Sequence, residues 1–284
     1  MKKDFLGKTA LVTGGASGIG RALSQQMARY GARVVIADID EAAAIKTAEE
    51  ISDAGGDARG VALDVIDRAA FLKLAEEIAA ENGSLDFLFN NAGIGITGEV
   101  RDLGEGAWNR VLDTNLRGVI HGVEAVYPIM VNQGSGHIAN TACIAGLVPF
   151  PMTAAYCASK HAVVALSTAL RAEAAELGVR VSVICPGTVD TGLFEAIEYF
   201  RVDREAVQKT IKPFLMPVER CAEAILRGVR RNKSVIIITL HARLVWWLYR
   251  LAPRTFLAMT AKGFRIARGR LRTPNNSDAN STVG

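Results

Sequence analysis

A chain of 284 residues, half of them apolar and 22% charged, carries enough apolar surface for one large core, and no Pro/Ser-rich linker divides it. Its formal charge of +4 is concentrated: residues 240–272 hold eight Lys/Arg and no Asp/Glu, so the rest is net acidic and carries no basic recognition motif, which speaks against nucleic acid as a partner. Four cysteines, Cys143, Cys157, Cys185 and Cys221, lack CxxC or Cys/His ligand spacing. Neither disulfides nor a metal site is therefore expected, and a reducing, cytoplasmic setting is the default. No h-region follows the basic start, and no run of 18 uncharged apolar residues suggests a membrane span.

Short β-branched runs alternate with helical periodicities along the chain. Thr9–Val12 reads as a strand, Arg21–Tyr30 as a helix, Arg33–Ala37 as a strand and Glu41–Ala54 as a helix. Ala58–Leu63, Arg68–Asn82 and Leu85–Phe89 continue the alternation, followed by one long helix over Trp108–Val131. His137–Asn140, Val179–Ile184 and Val235–Leu240 supply three more strands, with helices at Ala154–Leu177 and Val218–Arg231 between them. This series predicts an α/β fold: a doubly wound, Rossmann-type parallel sheet of seven strands with helices on both faces. One domain over residues 1–240 follows, and such sheets bind ligands at the carboxyl ends of their strands.

The first strand runs into Thr13-Gly14-Gly15-Ala16-Ser17-Gly18-Ile19-Gly20-Arg21, a glycine-rich turn that opens a helix. Gly14, Gly18 and Gly20 let backbone approach a pyrophosphate, and the helix start offers it unpaired N–H groups. Asp38 ends the second strand, where a carboxylate accepts from both hydroxyls of an adenosine ribose and repels a 2′-phosphate. No Arg or Lys follows at 39 or 40, so NAD(H) is favoured over NADP(H). A flexible loop and an exposed Asp at a strand end are the plainer alternatives.

Tyr156 and Lys160 lie four apart near a helix start and project from one face. An ammonium beside a phenol favours phenolate and would lower the tyrosine pKa toward working pH. Alone, such a pair is common on solvated helices. With its context, the chain resembles the short-chain dehydrogenase/reductase family over residues 6–240. The matching residues are Thr13-Gly14-x-x-x-Gly18-Ile19-Gly20, Asp64-Val65, Asn90-Asn91-Ala92-Gly93, Asp113-Thr114-Asn115, Tyr156-x-x-x-Lys160 and Pro186-Gly187-Thr188. The resemblance implies that Tyr156 is the proton donor and acceptor, that Lys160 lowers its pKa and binds the nicotinamide ribose, and that Asn115 holds a proton-relaying water. It implies that Ser17 and Ile19, within the glycine motif, and Asp64 and Val65, beside adenine, contact the cofactor. Asn91, Ala92 and Gly93 would line its cleft, and Pro186, Gly187, Val189 and Thr191 would close on its carboxamide end. Relatives usually pair through the helices that fall here at 108–131 and 154–177, so a homodimer or homotetramer is expected.

One position departs from the pattern. The family's substrate-orienting serine lies 13 residues before the tyrosine, and Cys143 stands there. A thiol donates more weakly than a hydroxyl. Cys143 acts with reduced strength, Thr141 on the same strand face assists, or the chain binds NAD without turnover as a silent or scaffold protein; a covalent role for the thiol is a further idea.

Around the substrate the chain is apolar: Ile94, Ile96, Leu147–Met152, and Phe194, Ile197, Tyr199, Phe200 and Phe214 in a lid over 191–217. That wall suits a small lipophilic alcohol or ketone of steroid, retinoid or long-chain type, although some of these side chains must pack beneath the lid. In the tail, residues 241–272, Leu244, Leu248 and Leu251 form one helical stripe and Arg243, Arg250 and Arg254 another, with Trp246 and Trp247 between. The helix is kinked or ended at Pro253 and followed by a second basic segment, Thr255–Arg272. It covers the fold or a second subunit, or touches an anionic membrane surface. Residues 273–284 are polar and expected to be disordered.

Overall fold

The computed structural model describes residues 2–192 and 197–273. After a short helix α1 (Lys2–Phe5), the first half runs β1 (Thr9–Thr13), α2 (Gly18–Arg29), β2 (Arg33–Asp38), α3 (Glu41–Asp53), β3 (Asp57–Ala62), α4 (Arg68–Asn82) and β4 (Phe87–Asn90). The second half contains α5 (Glu105–Leu112), α6 (Gly118–Gln133), β6 (Gly136–Thr141), α7 (Ala154–Glu173), β7 (Val179–Cys185), α9 (Val218–Arg230) and β11 (Val235–Ile237). These seven strands form one parallel sheet in the order β11-β7-β6-β4-β1-β2-β3. The chain moves outward from β1 to β3 and then returns to β4 on the other side of β1. Loops leaving β1 and β4 therefore diverge and open a crevice at the carboxyl edge.

Helices cover both faces, so the central strands are buried throughout. Ala10 and Val12 of β1 join Leu23, Met27, Ile225 and Leu226 on one face, while Leu11 joins Phe71 and Ile78 on the other. Asp40 and Asp67 cap α3 and α4 by accepting from the backbone N–H of Ala43 and Ala70.

Several expected boundaries move. The long helix expected over Trp108–Val131 is two helices joined by a π-type turn at Asp113–Arg117, closed by the Gly118 N–H on the Asp113 carbonyl. α7 ends at Glu173 rather than Leu177, and β11 stops at Ile237 rather than Leu240. The cause of the second is Thr239, whose hydroxyl accepts from the Ala242 N–H at 3.3 Å and caps α10 (Leu240–Leu251). Two small paired sheets organise the lid region: β5 (Ile96–Gly98) with β9 (Glu198–Phe200), and β8 (Val189–Asp190) with β10 (Met216–Pro217). α8 (Arg204–Ile211) follows β9.

α10 ends before Pro253, which starts α11 (Pro253–Leu271) at a position where its missing N–H costs nothing. Tyr249 and Phe256 meet edge to face at 5.4 Å across the bend. Arg268 grips both carboxylate oxygens of Glu99 at 2.8 Å, and Arg272 reaches Asp102 at 3.0 Å. The extension thus packs in part on the fold. Phe194 of the expected substrate wall and residues 274–284 of the expected disordered tail lie outside the described residues.

Candidate active site

The glycine turn is built by exclusion of side chains. Gly14 has φ +61°, and a Cβ there would lie 2.8 Å from the Ala92 Cα; a Cβ on Gly20 would lie 2.0 Å from the Gly14 carbonyl oxygen. Gly18, at φ +48°, faces Thr191, whose Cβ would be 3.2 Å from an added methyl. Ser17 precedes α2 with extended backbone and makes no capping bond, and the first turn of α2 holds no acid. The N–H groups and positive end of the helix dipole are left for an anion. Ile19 packs on the core beneath them. Asn91 locks the two turns together: its amide donates to the carbonyls of Thr13 (3.2 Å) and Gly14 (3.3 Å).

Asp38 ends β2 half-buried beside this turn, its carboxylate accepting from the N–H of Ala16 (3.0 Å) and Asp40 (3.2 Å). Asp64 lies past β3 and accepts from the Ile66 N–H, while Val65 is buried against Gly118, where a Cβ would come within 2.6 Å of its Cγ2. On the far side, the Pro186 carbonyl accepts from the Ile144 N–H, and Val189 sits in β8. Gly187 presses on the helix start of α10: a Cβ there would meet the Thr239 Oγ1 at 2.1 Å and the His241 Nε2 at 2.7 Å.

At the reacting end, Lys160 is buried and donates to the Thr141 carbonyl at 2.9 Å, with its Nζ 5.7 Å from the centre of the Tyr156 ring. A Cβ on Gly93 would lie 2.9 Å from the Asn115 Oδ1 and 3.3 Å from the Lys160 Nζ, so these three positions meet. Asn115 comes from the π-type turn. Its Oδ1 accepts from the Ile94 N–H (2.8 Å) and its Nδ2 donates to the Ile94 carbonyl (2.9 Å) and toward the Ser159 hydroxyl (3.3 Å).

Burial dominates the titration here. It pushes the Lys160 ammonium down to about 8 and holds the Tyr156 phenol well above the usual tyrosine range, with Cys143 adding to the second effect. The expected lowering of the tyrosine by its lysine is therefore outweighed in the chain alone, because desolvation disfavours both charged forms. Cys143 follows β6, contacts Tyr156 and points its thiol at the Pro186 carbonyl, 3.6 Å away. Burial raises that thiol too, so it stays protonated and is a poor nucleophile. Thr141 directs its hydroxyl to the Asn91 Oδ1 at 3.5 Å.

Of the apolar wall, Ile96 and Val148 are core residues, whereas Ile94 and Leu147 are half-buried. Ile197 covers Gly95, Phe200 covers Gly98, and Phe214 stands edge-on to His241 at 5.7 Å. Ser159, Thr239 and His241 were not singled out from sequence. Thr239 alone carried a local signal, a hydroxyl residue just before a helical stripe.

A family model described as short chain dehydrogenase matches residues 8–203, and the chain belongs to that family. It is 36% identical over 271 residues to the probable oxidoreductase EphD of Mycobacterium tuberculosis, covering 92% of this chain and 46% of that protein. The chain thus spans about half the length of that relative. It is 38% identical over 194 residues to 2-(S)-hydroxypropyl-CoM dehydrogenase 3 of Xanthobacter autotrophicus, covering 68% of this chain and 76% of that one. A short chain dehydrogenase/reductase of Burkholderia phymatum, solved in complex with NAD, matches with a TM-score of 0.80 at 31% identity over 87% of this chain and 94% of that chain.

Proposed function

We propose that this short-chain dehydrogenase moves a hydride between a nicotinamide cofactor and a secondary alcohol or ketone, with NAD(H) preferred over NADP(H) and a lipophilic substrate. The observation that carries the reading is the meeting of Tyr156, Lys160, Asn115 and Gly93 at the carboxyl edge, beside a glycine cradle that a single methyl group would fill. The residues present fit a dinucleotide: the uncapped start of α2 and the backbone of Gly14–Gly20 suit its pyrophosphate, and Asp38 suits ribose hydroxyls. Asp64 and Val65 would flank adenine, Asn91–Gly93 the middle of the cleft, and Pro186–Thr191 the carboxamide. The bound nicotinamide supplies the hydride acceptor or donor.

Tyr156 takes the alcohol proton in oxidation and returns it in reduction, while Lys160 favours the phenolate and reaches the ribose. Asn115 has its side chain committed to Ile94, so its part is to shape the π-type turn, where a proton-relaying water would be held. Cys143, against Tyr156, orients the substrate oxygen as a weak donor. Two or four copies pair through α5–α6 and α7, the helices over residues 108–131 and 154–177. Cys143 favours one rival, a chain that binds the cofactor with little turnover.

The test is NADH formation at alkaline pH over a panel of hydroxysteroids, retinol and small aliphatic alcohols, with the Tyr156→Phe variant alongside. Loss of about 10²–10⁴-fold in the variant at unchanged melting temperature is expected. Because burial holds the phenol high, the oxidation rate should climb with pH on the alkaline side. A fully active Tyr156→Phe protein would remove the mechanism, equal rates on small and large alcohols the lipophilic substrate, and equal use of NADP the role of Asp38.

A further inference from the structure

α10 carries an apolar stripe that nothing among the described residues covers. Leu240, Leu244, Trp247, Leu248 and Leu251 recur every three or four residues and are all exposed, Leu240 at 72%, Trp247 at 50% and Leu251 at 76%. Met259 and Ile266 of α11 are exposed as well. An exposed apolar set of this size marks an interaction surface. Arg243 and Arg250 flank the stripe on one side, and Arg250 lies over the Trp246 ring at 5.4 Å. Among the described residues, Arg268 and Arg272 are paired with Glu99 and Asp102, whereas Arg243, Arg250, Arg254, Lys262, Arg265 and Arg270 are exposed and pair with no carboxylate.

A hollow of about 290 Å³ adjoins the same helix, at the edge strand β11, lined by Arg227, Arg231, Lys233, Arg243, Trp246 and Trp247. Its walls combine these cations and indoles with the aliphatic run over residues 235–238, and although Arg227 is engaged by Glu223, the remaining cations have the chemistry that receives a phosphate headgroup. No helix of the described residues is long and apolar enough to cross a membrane. We propose that α10 and α11 dock on the surface of an anionic bilayer, with the leucine stripe and Trp247 in the acyl boundary and the cations against lipid phosphates.

The charge decides among occupants. A twofold pair through this face would set its uncompensated cations against the same cations of the second copy. A polyanion without an apolar phase would engage the arginines and leave Leu240, Leu244 and Leu251 in water. An anionic bilayer satisfies both at once.

Cosedimentation of the full chain with vesicles of phosphatidylglycerol and phosphatidylcholine, and with phosphatidylcholine alone, tests this. Pelleting is expected only with the anionic vesicles and should weaken with salt. Trp247→Glu with Leu251→Glu, at exposed positions that leave the melting temperature unchanged, should weaken it about tenfold or more. Arg250→Gln with Arg254→Gln should weaken it less and flatten the salt dependence. Failure to pellet with anionic vesicles, or equal pelleting of the glutamate variant, would overturn the proposal. A fall in oligomer size caused by Leu251→Glu would overturn it as well, by showing that a second copy covers the stripe.

Discussion

The two ends of β6 each hold a buried basic side chain and use burial differently. At the amino end His137 is enclosed, with its Nε2 2.8 Å from the Ser182 hydroxyl. Ser182 in turn donates to the Lys233 carbonyl at 2.6 Å, so its oxygen is left to accept from the imidazole N–H. Burial pushes His137 down to about 3, with Arg180 and Arg171 adding to it. At the carboxyl end the Thr141 carbonyl receives the Lys160 ammonium at 2.9 Å, and burial brings that group only to about 8. The amino end is closed by mutual partners, and the imidazole there is held neutral. The carboxyl end leaves an amine near working pH beside a phenol, so one physical effect holds a neutral group at one end and a titratable pair at the other.

The largest break in this comparison is expected on acidification. Between pH 6.5 and 3 the unfolded chain binds a proton on His137 that the folded chain refuses, so stability falls as pH falls. The full window is worth up to about 5 kcal/mol, of which roughly 2 kcal/mol is lost by pH 5. Urea unfolding at pH 7 and pH 5 should show this loss in the parent and a smaller one in His137→Gln. Equal losses in both would mean that other groups carry the acid response. At the opposite end, Cys143→Ser restores a stronger donor beside Tyr156. Turnover on any accepted substrate should rise about tenfold to a hundredfold, less than the roughly 10²–10³-fold that a whole donor is worth at the barrier because the thiol still donates weakly. A serine variant no faster than the parent would show that position 143 does not orient the substrate.

The contrast between the two ends was only half legible in the chain. Most of the seven main strands stand out as short apolar runs between turn signals, the more polar β3 and β6 being legible from their place in the alternation with helices, from which the parallel order also follows. The glycine turn, Asp38 and the Tyr156–Lys160 pair are legible because their spacing is local. The π-type turn is not, since one extra residue at Asp113–Arg117 hardly disturbs a helical period that runs on into α6. Nor are β5, β8, β9 and β10, of two or three residues each, too short to show alternation. The pairing of Arg268 with Glu99 joins residues 169 apart and lies beyond any local stripe. Most instructive is the Tyr156 pKa: the sequence displays the lysine, but the enclosure that outweighs it is a property of the folded cleft.

The smallest effect sharpens the comparison most. Ser182→Ala removes the acceptor for the buried His137 and the donor to the Lys233 carbonyl. An unpaired buried donor costs about 1–3 kcal/mol, which for a chain of this size lowers the melting temperature by about 2–4 °C per kcal/mol. Between the two ends β6 carries Asn140, whose amide is engaged by Asn90 and Ser167 rather than by a partner of either end, and its register is set by pairing with β4 and β7. kcat/KM should therefore stay within about twofold of the parent at a temperature where both proteins are folded, since substitutions with no shared partner are close to additive. If turnover fell with stability, strain at His137 would be reaching Thr141 and Lys160 through the strand, and the two ends would be one site rather than two.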